Sequence, residues 1–258
     1  MADLIPDIPV MTLILVRVTA FFVTVPLFSY RTIPPNLRII FAVLIAWMMA
    51  YTVPAGSLTA DTGFILLIMK EAIVGLLLGL LAYIVISVIQ LAGSFIDFQM
   101  GFAIANVIDP QTGAQSPLVG QFFNILALLL LLALNGHHLL LDGLFYSYQF
   151  VPLESAWPQT GDDRFGEFIA KTFTAAFAIA FQMAAPIVAS LFLTDLALGI
   201  TARTVPQLNI FVIGFPVKIA VAFILLLIMM GVIVAVMQSV FGLMTESMRA
   251  LLTLLNGG

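Results

Sequence analysis

The chain has 258 residues, 62% of them hydrophobic and 9% charged, with a formal net charge of −4; a soluble domain averages about 45–50% apolar and about 25% charged, so this composition cannot be hidden in one aqueous core and reads as an integral membrane protein. Mean hydropathy is +1.19 and the pI about 4.9, and no basic cluster occurs, which argues against nucleic acid and anionic headgroups as partners. Cysteine is absent, excluding disulfides, thiolate metal sites and a cysteine nucleophile.

A helix crossing about 30 Å of hydrocarbon needs roughly 20 apolar residues. Six candidates run at about 8–30, 37–53, 64–89, 118–135, 168–198 and 210–245. The first follows Asp3 and Asp7 with no lysine or arginine before Arg17, so it is expected to be retained rather than cleaved as a signal. It carries Pro26. Arg31 and Arg38 then flank Ile33-Pro34-Pro35, and the short second segment ends at Val53-Pro54. The third holds Lys70, Glu71 and the Gly75-x-x-x-Gly79 spacing that lets helices approach closely.

After Asp97 the character changes. FQMGFAIANVIDPQTGAQSP, residues 98–117, is apolar yet interrupted by Gly101, Asn106, Pro110, Gly113 and Pro117. Irregular backbone is tolerated at membrane depth only where protein buries it or it lines a cavity, so this stretch suggests a pathway or gate. The fourth segment lies in a span without Asp, Glu, Lys or Arg between Asp109 and Asp142. Its leucines and phenylalanines each favour insertion by roughly 0.3–0.6 kcal/mol, opposed only by Gln121 and Asn124. His137 and His138 follow. Adjacent helical side chains point about 100° apart, and only His138 and Asp142 share a face, so a helix-end hydrogen-bonding role is expected rather than a metal site.

The loop 142–167 is acidic, with Asp142, Glu154, Asp162, Asp163 and Glu167 against Arg164. Its polar part, 154–167, is the best candidate boundary. Beyond it come Lys171, Pro186, Asp195, Arg203, Pro206, Pro216 and Lys218. Arginines at 31, 38 and 203 place the first and last inter-segment loops in the cytoplasm, and six crossings put both termini outside. A charge within an apolar segment costs about 2.5–3.5 kcal/mol on insertion scales and must find a partner or water. Snorkelling is expected for Lys70 and Lys171. Asp195 and Lys218 are expected to pair across a hairpin turning near 203–209. No phosphate-binding loop, Ser/His/Asp pattern or zinc-protease motif occurs, so no enzymatic role is expected.

Two runs carry a resemblance. Residues 98–144 contain Asp109-Pro110, the uncharged leucine helix and Asn135-Gly136-His137; residues 184–219 read AAPIVASLFLTDLALGITARTVPQLNIFVIGFPVKI. Their order and spacing resemble the FliR family, the R subunit of the flagellar and type III secretion export gate, over essentially the whole chain. The second run also resembles the gate's small two-helix Q subunit, with Pro186, the turn 203–209 and Pro216-Val217-Lys218 as the matching features.

The resemblance implies an all-α integral membrane protein of bent, Pro/Gly-broken helical hairpins. A P-subunit-like part would span 1–165 and include a pore-plug loop at about 98–117; a Q-like hairpin would span 166–258. A single R copy would join P and Q subunits, with the B-type switch subunit and the export apparatus A subunit as further partners. The assembly would form the channel entrance for unfolded flagellar proteins, in the bacterial inner membrane at the flagellar basal body, without metal or cofactor. The plug would comprise Phe102, Ile104, Ala105, Asn106, Val107, Ile108, Asp109 and Pro110, with Phe102, Ile104, Val107 and Ile108 as the apolar obstruction. Pro186, Asp195, Arg203, Pro206, Pro216 and Lys218 would shape subunit contacts. The family's hairpins sit largely above the bilayer plane once assembled, so hydropathy would then report burial against P and Q. The alternative is a stand-alone secondary transporter using its intramembrane charges as a coupling site. Such transporters often show two similar halves, and no internal repeat is evident here.

Overall fold

The computed structural model describes residues 7–30, 33–54, 63–102, 117–155, 163–205, 207 and 209–256. Every element among them is helical: α1 (Ile8–Thr24), α2 (Pro35–Ala50), α3 (Phe64–Met100), α4 (Leu118–Ala133), α5 (Gly136–Phe150), α6 (Asp163–Thr204) and α7 (Ile210–Leu255). The helices start and stop where local chemistry demands. α1 and α2 each open with proline in the first turn, where its missing N–H costs nothing. Pro26 follows the end of α1, and Leu27 turns the chain at a φ of 88°. Pro54 follows α2 and disfavours helix in the residue before it.

Among the described residues, three helices, α3, α6 and α7, are long and apolar enough to cross a membrane, or four spans if α4 and α5 count as one. The expectation of six crossings is therefore revised. α1 and α2 have 17 and 16 residues, short of the roughly 20 a crossing needs. The long helices overrun their sequence-based limits. α3 has 37 residues, about 55 Å at 1.5 Å per residue. α6 and α7 have 42 and 46 residues and carry Pro186 and Pro216 inside them.

α4 and α5 meet at a 73° bend. Asn135 makes it with a left-handed φ of 56°, a conformation asparagine tolerates better than most residues. Gly136 follows because a Cβ there would lie 2.4 Å from Leu131 Cδ1. The Asn-Gly pair of the sequence is thus the corner itself.

The chain forms two compact units that do not follow chain order. The first comprises Met1–Val85, Leu131–Phe173 and Phe241–Gly258; the second comprises Ile86–Leu130 and Thr174–Val240. This is a different partition from the 1–165 and 166–258 division implied by the resemblance. In the first unit, α1 buries Leu13, Ile14, Val18, Phe21 and Phe22. Gly75 and Gly79 are where α3 crosses it: a Cβ on Gly75 would sit 2.4 Å from the Arg17 carbonyl oxygen, and one on Gly79 would sit 2.0 Å from Thr24 Oγ1. α2 packs on α1 and buries only Ala42, Ala46 and Met49.

In the second unit α3 meets α4 backbone to backbone, since a Cβ on Gly93 would lie 2.4 Å from Gly120 Cα. Phe95 of α3 packs edge-on against Phe177 and Phe181 of α6. Burial falls along the chain: in their most apolar stretches, 56% of α3 is buried within the protein, 33% of α6 and 17% of α7.

Candidate functional site

Residues 103–116 lie outside the described residues, so of the candidate plug only Phe102 is placed; Ile104, Ala105, Asn106, Val107, Ile108, Asp109 and Pro110 are not. Pro206 also lies outside them. Both flanks of the segment lie among the described residues. At the first, Gly101 N donates to Phe98 O at 3.1 Å and Phe102 N to Asp97 O at 3.1 Å, the paired bonds of a helix C-terminus closed by a left-handed residue. Gly101 supplies that residue with a φ of 89°, a conformation costly for residues with a Cβ.

At the second flank, α4 begins with its amides facing Asp97 of α3. Val119 N donates to Asp97 Oδ1 at 3.1 Å and Gly120 N to Oδ2 at 3.0 Å. Asp97 is 4% exposed. It does for α4 what an N-cap residue does from within the chain: it satisfies orphan donors and places negative charge at the positive end of the helix dipole. Asp97 is a charge within an apolar helix that needs a partner, and the partner is a helix end.

The first flank also reaches the hairpin formed by α6 and α7. Gln99 Nε2 donates to Asp195 Oδ2 at 2.9 Å. Lys218 Nζ donates to the same oxygen at 3.0 Å and lies 2.9 Å from Oδ1, so the pairing expected of these two residues is present. The Lys218 side chain is 16% exposed and that of Asp195 39%. Three residues before Lys218, Phe215 takes the Phe102 ring edge-on, with centroids 6.0 Å apart. Gln99, Phe102, Asp195, Phe215 and Lys218 therefore form one constellation. Gln99 and Phe215 were not singled out from the sequence; an amide two residues before Gly101 carries no local signal. Pro186 and Pro216 lie inside their helices, and Arg203 is exposed in the last turn of α6, where a cation suits the helix dipole.

A second polar cluster lies in the first unit and corrects an expectation. The side chains of Arg17, Lys70 and Glu71 are 0%, 1% and 0% exposed, so Lys70 does not snorkel. Arg17 Nε donates to Glu71 Oε2 at 2.5 Å and Nη2 to Oε1 at 3.0 Å. Its remaining donors reach Ser147 Oγ and Val151 O, both at 2.8 Å, and its guanidinium lies 4.0 Å over the Tyr148 ring. Lys70 Nζ is 3.1 Å from Glu71 Oε1 and donates to Pro152 O and Leu153 O at 2.8 Å. Two cations face one anion, and carbonyl oxygens following the C-terminus of α5 accept the excess positive charge.

Lys171 behaves as expected of a snorkelling residue. It pairs with Glu167 at 2.7 Å, with side chains 75% and 62% exposed. The histidines do not. The rings of His137 and His138 lie 4.1 Å apart at 37°, rather than diverging. His137 Nδ1 is buried without a hydrogen-bond partner among the described residues. No group of three His, Cys, Asp or Glu residues able to hold a metal occurs among those residues either.

Comparison with known proteins bears on the whole length. A family model described as bacterial export proteins, family 1, matches residues 8–244. The flagellar biosynthetic protein FliR of Bacillus subtilis (strain 168) is 57% identical over 255 residues, 98% of each chain. FliR of Escherichia coli (strain K12) is 30% identical over 230 residues, covering 88% of this chain and 86% of its own. The Yop proteins translocation protein T of Yersinia pestis is 31% identical over 225 residues, 84% of each. A helical membrane architecture, a family match from 8 to 244 and relatives aligned nearly end to end lead to one conclusion: the chain belongs to the FliR family of bacterial export proteins.

Proposed function

We propose that this protein is a non-enzymatic export-gate subunit of the bacterial flagellar type III secretion system, acting in the inner membrane at the flagellar basal body. The observation that carries this reading is the 57% identity to a flagellar FliR over 98% of both chains. In it, one copy joins P and Q subunits, beside the B-type switch and A subunits, to form the channel entrance for unfolded flagellar proteins. Support for lateral contacts comes from the α6–α7 hairpin, which leaves Phe192, Leu193, Ile200, Leu227 and Ile228 exposed. Pro186, Arg203, Pro206 and Pro216 shape the hairpin, and the Asp195–Lys218 pair holds its two helices together.

Within this role the segment of about 98–117 acts as the plug. Support comes from its sequence, which alternates apolar residues with helix breakers, and from its flanks. Gly101 ends one helix and Asp97 caps the next, so both ends of the segment are anchored by one turn of α3. Hydrophobic constrictions close pores by dewetting, which suits Phe102, Ile104, Val107 and Ile108. The test is deletion of residues 105–115 in the gate assembled with its P and Q subunits. Co-purification should persist while ion conductance rises. An assembled complex with unchanged conductance would sink the plug role; loss of assembly would make the segment a structural turn.

A further inference from the structure

We propose that Asp195 is a positioning residue that latches the end of α3 to the α6–α7 hairpin, and that the Gln99–Asp195 contact is the one that parts when the gate opens. This rests on the plug reading above and adds to it where release occurs.

The two anchors of α3 differ in kind. Asp97 holds α4 through backbone amides, is almost fully buried, and lies beside the Gly93–Gly120 contact that leaves no room for a side chain. Loosening it requires separating two packed backbones. The Asp195 anchor is a side-chain contact in which a neutral amide, not a packed backbone, meets the carboxylate. Asp195 is the only acidic residue between Glu167 and Glu246. Its Oδ2 is shared by Gln99 and Lys218, whereas Oδ1 serves Lys218. Gln99 can therefore depart without leaving the carboxylate unpaired, since Lys218 retains it. The neutral partner is the releasable one, and the ion pair preserves the hairpin.

The neighbouring geometry fits a pivot. Gly101, two residues after Gln99, holds a left-handed φ of 89°, and a Cβ there would meet Phe215 Cε2 at 3.3 Å. Phe102 rests edge-on against the same ring. This second contact on α7 is non-directional, so the ring can slide once the amide lets go. The Asp195 side of α3 is thus the adjustable side, and the Asp97 side the fixed one.

The test exchanges amide and carboxylate in the assembled gate with P and Q subunits. Gln99→Glu places a second carboxylate against Asp195. It should raise resting ion conductance about fivefold, the ratio corresponding to one hydrogen bond of ordinary net strength, with unchanged co-purification. Gln99→Glu combined with Asp195→Asn restores one amide–carboxylate bond and one lysine partner, and should return conductance to near the parent level. Gln99→Leu, which cannot repel, should show a smaller increase than Gln99→Glu. An intact complex with parent-level conductance for Gln99→Glu overturns the latch, as does a double variant no tighter than the single one. Loss of assembly by Gln99→Glu and Gln99→Leu together also overturns it, making the contact ordinary packing. The 105–115 deletion separates the readings. If the deletion leaks and Gln99→Glu does not, the latch alone fails; if the deletion does not leak, the plug fails and the latch with it.

Discussion

Arg17, Glu71 and Lys70 in the first unit, and Gln99, Asp195 and Lys218 in the second, are both three-member polar groups in apolar helices, yet they are built to different ends. The first is closed to solvent, joins α1 to α3 and to residues 147–153, and leaves no carboxylate oxygen unused. The second is partly open and contains one neutral member. In low-dielectric surroundings, breaking a charge pair leaves an uncompensated ion, whereas losing the neutral Gln99 leaves Asp195 still paired with Lys218. The contrast teaches that a charge inside an apolar helix is not by itself a functional mark. Burial and saturation make one group a fixed joint; the other, with a neutral member that can leave, is the one proposed to yield.

The strongest way to break this comparison is Glu71→Ala. It strands two buried cations and should destabilise the first unit by about 3–5 kcal/mol, seen as loss of protease-resistant protein from the membrane fraction. Replacing the whole group, Arg17→Met with Lys70→Met and Glu71→Leu, should recover much of that loss, because a buried ion pair is often matched by apolar residues. If the triple variant is as unstable as the single one, the cluster specifies structure beyond its charge balance.

Next is the crossing of α1 and α3. Gly79→Val forces a side chain into Thr24 and the Phe21 carbonyl and should cost about 1–3 kcal/mol. Gly231→Ala has open space around its Cβ and should instead stabilise α7 by about 0.5–1 kcal/mol. Thermal denaturation in detergent reads both, and equal effects would discount the close approach.

Asp97→Ala should cost about 1–2 kcal/mol, as loss of an N-cap does. Faster hydrogen exchange should appear in the first turn of α4 and not in α1. Uniform exchange change would mean that Asp97 acts globally.

The smallest effects concern the Asp195–Lys218 and Glu167–Lys171 pairs. Asp195→Ala and Lys218→Ala should each lower recovery of the complex with P and Q more than Lys171→Ala, which should be indistinguishable from the parent. Equal recovery for all three would remove the distinction between a pair that joins two helices and one that decorates a single helix.

Much of the helix punctuation was legible locally. Gly101, Asn135-Gly136 and Pro54 fall at or just past helix ends, because φ restrictions and missing donors act within a few residues, whereas Pro186 and Pro216 sit inside helices that continue through them. Gly75-x-x-x-Gly79 announced a close crossing, though not with which helix. Lys70 was misjudged because a lysine in an apolar segment looks the same whether its head reaches water or meets the carbonyls of residues 152 and 153.

By itself, then, the sequence determined the helical membrane class, the breakpoints and the family, since hydropathy, backbone restriction and motif order are properties of the chain read in line. Tertiary structure alone decided which charges are joints and which are contacts. Arg17 finds Glu71 and Ser147 at 54 and 130 residues' distance, Asp97 finds the amides of α4, and Gln99 finds Asp195 at 96. Electrostatic partners are chosen by packing geometry, and local patterns carry no record of that choice.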